Sequence, residues 1–149
     1  MTTSINKPPI WFWIISVLAL LWNTMGVLAY LADAYMTDEM LSQLTERQQT
    51  LQMLEFPAWY TACYALAVFC GVLGCLCLLI RKSWAILFFV ISFIAVLGQT
   101  LHNYIINDIY VDMNLTPNTF EFSMAIAVPV VAILLLLFAR GAAKKGWTK

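Results

Sequence analysis

Asn23, Gln99 and His102 are the polar residues of this chain that stand inside long apolar runs, with Thr24, Thr100, Asn103 and Tyr30 close by in sequence. Amide and imidazole groups in such surroundings do one of two things. They hydrogen-bond between helices as packing glue, worth about 0.6 kcal/mol each. Or they line a small polar pocket, here one open to the outside with Asp33, Asp108 and Glu121 at its rim. His102 is the single histidine, the residue type that changes charge near physiological pH. A proton relay needs a chain of such groups across the membrane. The half of the chain's apolar length nearer its basic residues has none, so a pump is not expected.

The remaining reactive side chains do not form a recognisable site. Cys63, Cys70, Cys75 and Cys77 crowd into one apolar run far from His102, without the spacing of a zinc or iron–sulfur site. Gly71-x-x-Gly74 lacks the setting of a phosphate loop. No serine, histidine and aspartate combination has a spacing from which a triad follows. The expectation is therefore a chain with no catalytic residue, metal or cofactor, and no feature suited to nucleic acid.

The elements that must position these groups are set by composition. Apolar residues make up 62% and charged residues 11% of 149, with mean hydropathy +0.82. Ordinary soluble domains have roughly 45–50% and about 25%. Four runs, Ile10–Ala32, Ala58–Ile80, Trp84–Ile106 and Phe122–Ala139, approach or exceed the roughly 20 residues that cross a hydrocarbon core. None has a charged residue in its interior, which would cost about 2.5–3.5 kcal/mol at the bilayer centre. Helices satisfy their own backbone in lipid. The fold class expected is an all-α membrane protein: a four-helix transmembrane bundle with an amphipathic helix outside the cytoplasm between the first two spans.

Charge sets the expected orientation. Lys7, Arg81, Lys82, Arg140, Lys144, Lys145 and Lys149 fall at one end of the bundle, and Arg47 alone at the other. All eight acidic residues lie at or beside the Arg47 end. Basic residues in short loops stay on the cytoplasmic side, so both termini are expected in the cytoplasm and residues 140–149 form a cytoplasmic tail. The first run, about 22 residues, exceeds the 7–15 of a cleaved signal and is read as a retained span. Trp11, Trp13, Trp59 and Trp84 sit near span ends, as interfacial anchors do.

Between the first two spans, residues 38–55 read as one amphipathic surface helix. Thr37 caps it, Asp38 and Glu39 suit its positive end, and Met40, Leu44, Leu51 and Leu54 share a face. Pro57 ends the run. The second polar loop, 107–121, is acidic and broken by Pro117, and Pro129 should kink the fourth span unless packing re-satisfies the freed carbonyl.

Small and polar residues mark the faces that pack in lipid. On the first span Ser16, Ala19, Asn23, Gly26, Tyr30 and Asp33 recur at spacings of 3 and 4; on the third, Ser92, Ala95, Gln99 and His102 do the same. Cys63, Ala67, Gly71 and Cys75 make a four-residue stripe on the second. The second span is expected to be central and the fourth, nearly all bulky aliphatic, the most lipid-exposed. Residues 16–24 and 92–100 are identical at four of nine positions, and both hairpins carry Glu-Phe before the second helix. That pattern suits a tandem duplication of parallel repeats such as some transporters use, and equally the small alphabet of membrane helices.

Lys7-Pro8-Pro9-Ile10-Trp11-Phe12-Trp13, Leu21-Trp22-Asn23-Thr24-Met25-Gly26, Met36-Thr37-Asp38-Glu39, Pro57-Ala58-Trp59, Arg81-Lys82-Ser83-Trp84-Ala85 and Lys145-Gly146-Trp147 together resemble a group of small four-span bacterial inner-membrane proteins. Some members of that group are called sugar transporters. The resemblance implies a multi-pass inner-membrane protein and carries no site residue with it. The chain departs from four-span multidrug exporters, which place a glutamate within the first span where this one has Asn23. The expected partners are the lipid bilayer and either a second copy or another membrane protein. The leading expectation is a non-enzymatic accessory or structural component; the alternative is an oligomeric small-solute transporter built on Asn23, Gln99 and His102.

Overall fold

The computed structural model describes residues 6–53, 56–105 and 119–149. Asp108, Glu55, Leu54 and the loop residues 107–118 lie outside them. Six helices make up the described chain: α1 (Ile10–Ala34), α2 (Asp38–Ser42), α3 (Glu46–Gln52), α4 (Ala58–Leu79), α5 (Ala85–Ile105) and α6 (Thr119–Lys144). Four of these, α1, α4, α5 and α6, are long and apolar enough to span a membrane. The protein is an all-helical, multi-pass membrane protein.

Helix starts follow local chemistry. Pro9 and Pro57, both extended, stand immediately before α1 and α4, where a residue without an amide hydrogen costs nothing in the opening turn. Thr37 accepts a hydrogen bond from the Met40 amide, as expected of a cap. The surface helix expected over 38–55 is two short ones. Thr45 opens α3 with a capping box: it accepts from the Gln48 amide, while the Gln48 side chain accepts from the Thr45 amide. The Gln49 side chain takes up the carbonyl of Leu44. Local side-chain hydrogen bonds thus interrupt a run whose apolar spacing alone reads as continuous.

α6 begins at Thr119, inside the segment expected as loop, and runs unbroken past Pro129 to Lys144. It therefore extends five residues into the expected tail. Beyond it, Gly146 adopts φ 70°. The amides of Gly146 and Trp147 reach back to the carbonyls of Ala143 and Ala142, the left-handed cap in which glycine has no side-chain penalty.

α4 packs on α5 and α1, and α5 packs also on α6. The second span is accordingly central, as its small residues indicate, and shares that place with α5. In the most apolar stretch of each span, α4 and α5 bury 33%, α6 17% and α1 11%. The fourth span is thus not the most exposed: α1 is, because Phe12, Ser16 and Ala19 are its only buried positions. The main core lies toward the basic end around Phe12, Cys75, Leu78, Phe89, Ala139 and Trp147. A small cluster of Ala67, Ala95 and Val96 continues it further along α4 and α5.

Candidate functional site

α1 places Asn23 against α4. Its side-chain amide donates to the carbonyl of Ala19 at 2.9 Å and to Cys75 Sγ at 3.6 Å. Its carbonyl end lies over Gly71, so closely that a β-carbon there would come within 2.8 Å of Asn23 Cγ. Gly71 is needed because a side chain from α1 occupies the volume its own would fill. One helical turn on, a β-carbon at Gly74 would meet the Phe89 ring of α5 at 2.8 Å. Gly26 of α1 sits beside Val68 in the same way, at 3.1 Å. The small stripe of α4 therefore receives α1 on one flank and α5 on the other, which is how close approach replaces the missing hydrophobic drive in lipid.

Ser16 and Ser92, equivalent in the internal alignment, are both buried and bond differently. Ser16 Oγ donates to Phe12 O in its own helix at 2.8 Å. Ser92 Oγ crosses to Ala67 O of α4 at 2.7 Å. Ala19 and Ala95 are buried as well, and Ala67 forms part of the inner cluster. Each residue assigned to packing from sequence, Ser16, Ala19, Gly26, Ala67, Gly71 and Cys75, lies where helices meet or within α1's buried stripe.

Two of the residues assigned to a polar pocket meet α4 at different heights, Asn23 at Gly71 and Cys75 and His102 at Trp59 and Tyr60. No hydrogen bond joins Asn23 to Gln99 or His102; Asn23 is held by Ala19 and Cys75. Tyr30 packs edge-on against Tyr64 at 5.3 Å and Phe69 at 5.9 Å, both on α4. His102 is 8% exposed and lies between Trp59 and Tyr60, each 4.9 Å away between ring centres. Its buried Nδ1 has no hydrogen-bond partner among the described residues. Among the rim residues, Asp33 Oδ1 accepts from Gln52 Nε2 at 3.0 Å. Glu121 receives Arg47 with two bonds, Nη2 to Oε2 at 2.7 Å and Nε to Oε1 at 3.3 Å. Asp108 is outside the described residues. The cysteines among them are free, and no cluster of three metal-ligating side chains occurs among the described residues.

Sequence reading missed the most connected region, at the basic end. Arg81 adopts φ 59°, a left-handed conformation costing a non-glycine residue about 1 kcal/mol. Its Nε donates to Trp147 O at 2.8 Å and its Nη2 to Asn6 O at 3.1 Å. The Arg81 carbonyl accepts from Lys149 N at 2.7 Å, and Ser83 N donates to Lys149 O at 2.5 Å. Trp147 is tucked under Trp11 and Phe12 at 5.1 and 5.8 Å, and Lys145 Nζ stands 4.8 Å above its ring. The segment expected as a free tail is folded onto the α4–α5 turn. The signal in the sequence was a tryptophan and a glycine after the last span, Gly146-Trp147, which a solvated tail has no use for.

Comparison with protein families, characterised proteins and solved structures finds no match for this chain.

Proposed function

We propose that this protein is a non-enzymatic accessory or structural component of a bacterial inner membrane, with the basic end of the bundle and both termini in the cytoplasm. The observation that carries this reading is the use of the intramembrane polar groups. Asn23 and Ser92 bond to neighbouring helices and Ser16 to its own backbone, which leaves broad apolar surface on α1 for lipid or another membrane helix. α2 and α3 add a solvent-side surface with Met40 and Met53 exposed. Purification in mild detergent followed by mass spectrometry tests it. A stable partner or second copy should co-purify, and Met40→Gln with Met53→Gln should weaken its retention if the surface helices hold it. A chain recovered alone and monomeric overturns the reading. Fusions with reporters that report on one side of the membrane test the orientation: one at the Arg81 turn should read as cytoplasmic.

A second reading, an oligomeric transporter of a small solute such as a sugar, has one observation in its favour. His102 Nδ1 is buried without a partner among the described residues, between Trp59 and Tyr60, and an aromatic wall with a polar group suits a sugar ring. Under it, His102→Ala abolishes uptake into cells while expression persists, whereas Asn23→Ala acts only through folding.

A further inference from the structure

The two halves of α6 are packed differently. The inner half carries all of the helix's buried positions, Leu135, Leu136, Ala139 and Ala142, and Phe138 stacks on Phe12 of α1 at 5.6 Å between ring centres. The outer half, residues 119–134, has no buried position; its most covered side chains, among them Glu121, Met124, Ala127 and Ala132, are half-buried. The other spans hold on further out. α1 interlocks with α4 through Gly26 beside Val68 and Tyr30 against Tyr64, and α5 remains buried as far as His102.

Pro129 stands within the loosely packed half of α6. Proline has no amide hydrogen, so the carbonyl of Ala125 loses its helical donor, and the ring crowds the same turn. Such a position is where a helix bends. At the far end of the arm beyond it, Arg47 of α3 holds Glu121 with two bonds, at 2.7 and 3.3 Å. α3 is tied in turn to α1, Gln52 Nε2 donating to Asp33 Oδ1 at 3.0 Å. Arg47 and Gln52 lie about 7.5 Å apart along the helix axis, so this short helix bridges α1 and α6 at the acidic end. At the basic end the same two spans meet directly, through Phe12 and Phe138.

We propose that residues 119–128 of α6 are a gate that pivots at Pro129, with the Arg47–Glu121 pair as its latch and α3 as the crossbar. The arm is about 15 Å long, and a bend of about 20° moves its tip by about 5 Å, enough to part the ion pair. Opening separates α6 from α3 at the acidic end and leaves the Phe12–Phe138 contact closed. The latch side chains are 26–28% exposed, so salt loosens it. The gate goes beyond the accessory reading and does not depend on it. Hydrogen exchange read by mass spectrometry on the full chain in detergent micelles tests it. Arg47→Glu sets two carboxylates against each other and should raise exchange over 120–128 by about fivefold, with 135–144 unchanged. Arg47→Glu combined with Glu121→Arg re-forms the pair in reverse and should restore the original rate. On the Arg47→Glu background, Pro129→Ala returns a donor to the Ala125 carbonyl and should confine the rise to the first turn of α6. The proposal is overturned by no rise in Arg47→Glu, by a rise that runs on through 135–144, by a charge swap that exchanges as fast as Arg47→Glu alone, or by a rise over 120–128 that survives Pro129→Ala.

Discussion

At the basic end of the bundle, Arg81 ties three chain segments together, Trp147 and Phe12 pack as rings, and the main core lies immediately beneath. At the acidic end, α3 is held to its neighbours through exposed or half-buried polar side chains, Arg47 with Glu121 and Gln52 with Asp33, while the rings of Trp59, Tyr60 and His102 pack between α4 and α5. The first set combines desolvated packing with hydrogen bonds to backbone carbonyls. The contacts of α3 are screened by water and salt. The basic end should therefore behave as the rigid base of the molecule, and α3 at the other end as a yielding cap.

Substitutions can break or sharpen that contrast. Phe12, fully buried, should have the largest effect: Phe12→Ala is expected to cost about 3 kcal/mol, read as a lower midpoint of unfolding in mixed micelles. Arg81→Ala leaves the carbonyl of Trp147 without its charged donor, while water can replace the exposed bond to Asn6, and should cost about 1.5 kcal/mol. Hydrogen exchange should then rise at 145–149 and leave α2 and α3 unchanged. Between the ends, Gly71→Ala should cost about 1 kcal/mol, because Asn23 must rotate away and abandon Ala19 and Cys75. On an Asn23→Ala background that cost should largely disappear, a coupling measured by a double-mutant cycle. Glu121→Gln removes an ion pair whose side chains are 26–28% exposed. It should cost about 0.5 kcal/mol at low salt and less at high salt. A loss at Glu121 equal to that at Arg81 would erase the distinction between the ends.

The requirement for packing is local: a small side chain every fourth position on the second span reads as a face for close approach, and in the structure Ala67 and Cys75 are buried and Asn23 lies over Gly71. The polar cluster was not legible. Asn23 and Gln99 share a rhythm and a depth, so sequence makes them partners. Which helix lies next to α1 is a property of the assembled bundle, and α4 takes that place. The break between α2 and α3 was written in Thr45-x-x-Gln48, yet apolar periodicity across it masked a capping box whose hydrogen bonds act over a single turn. The Arg47–Glu121 pair joins residues 74 apart in the chain, and nothing at either position announces the other.

The sequence by itself determined the solvent of this protein and the number of its spans, because apolar length and the exclusion of charge act residue by residue, whatever the neighbours. It also marked the basic and acidic ends. Tertiary structure alone decided that Asn23 serves α4, that α1 is the least buried span, and that the segment after α6 folds onto the Arg81 turn. Those outcomes depend on which surfaces meet at close range, where a β-carbon or a carbonyl a few ångströms away settles the choice.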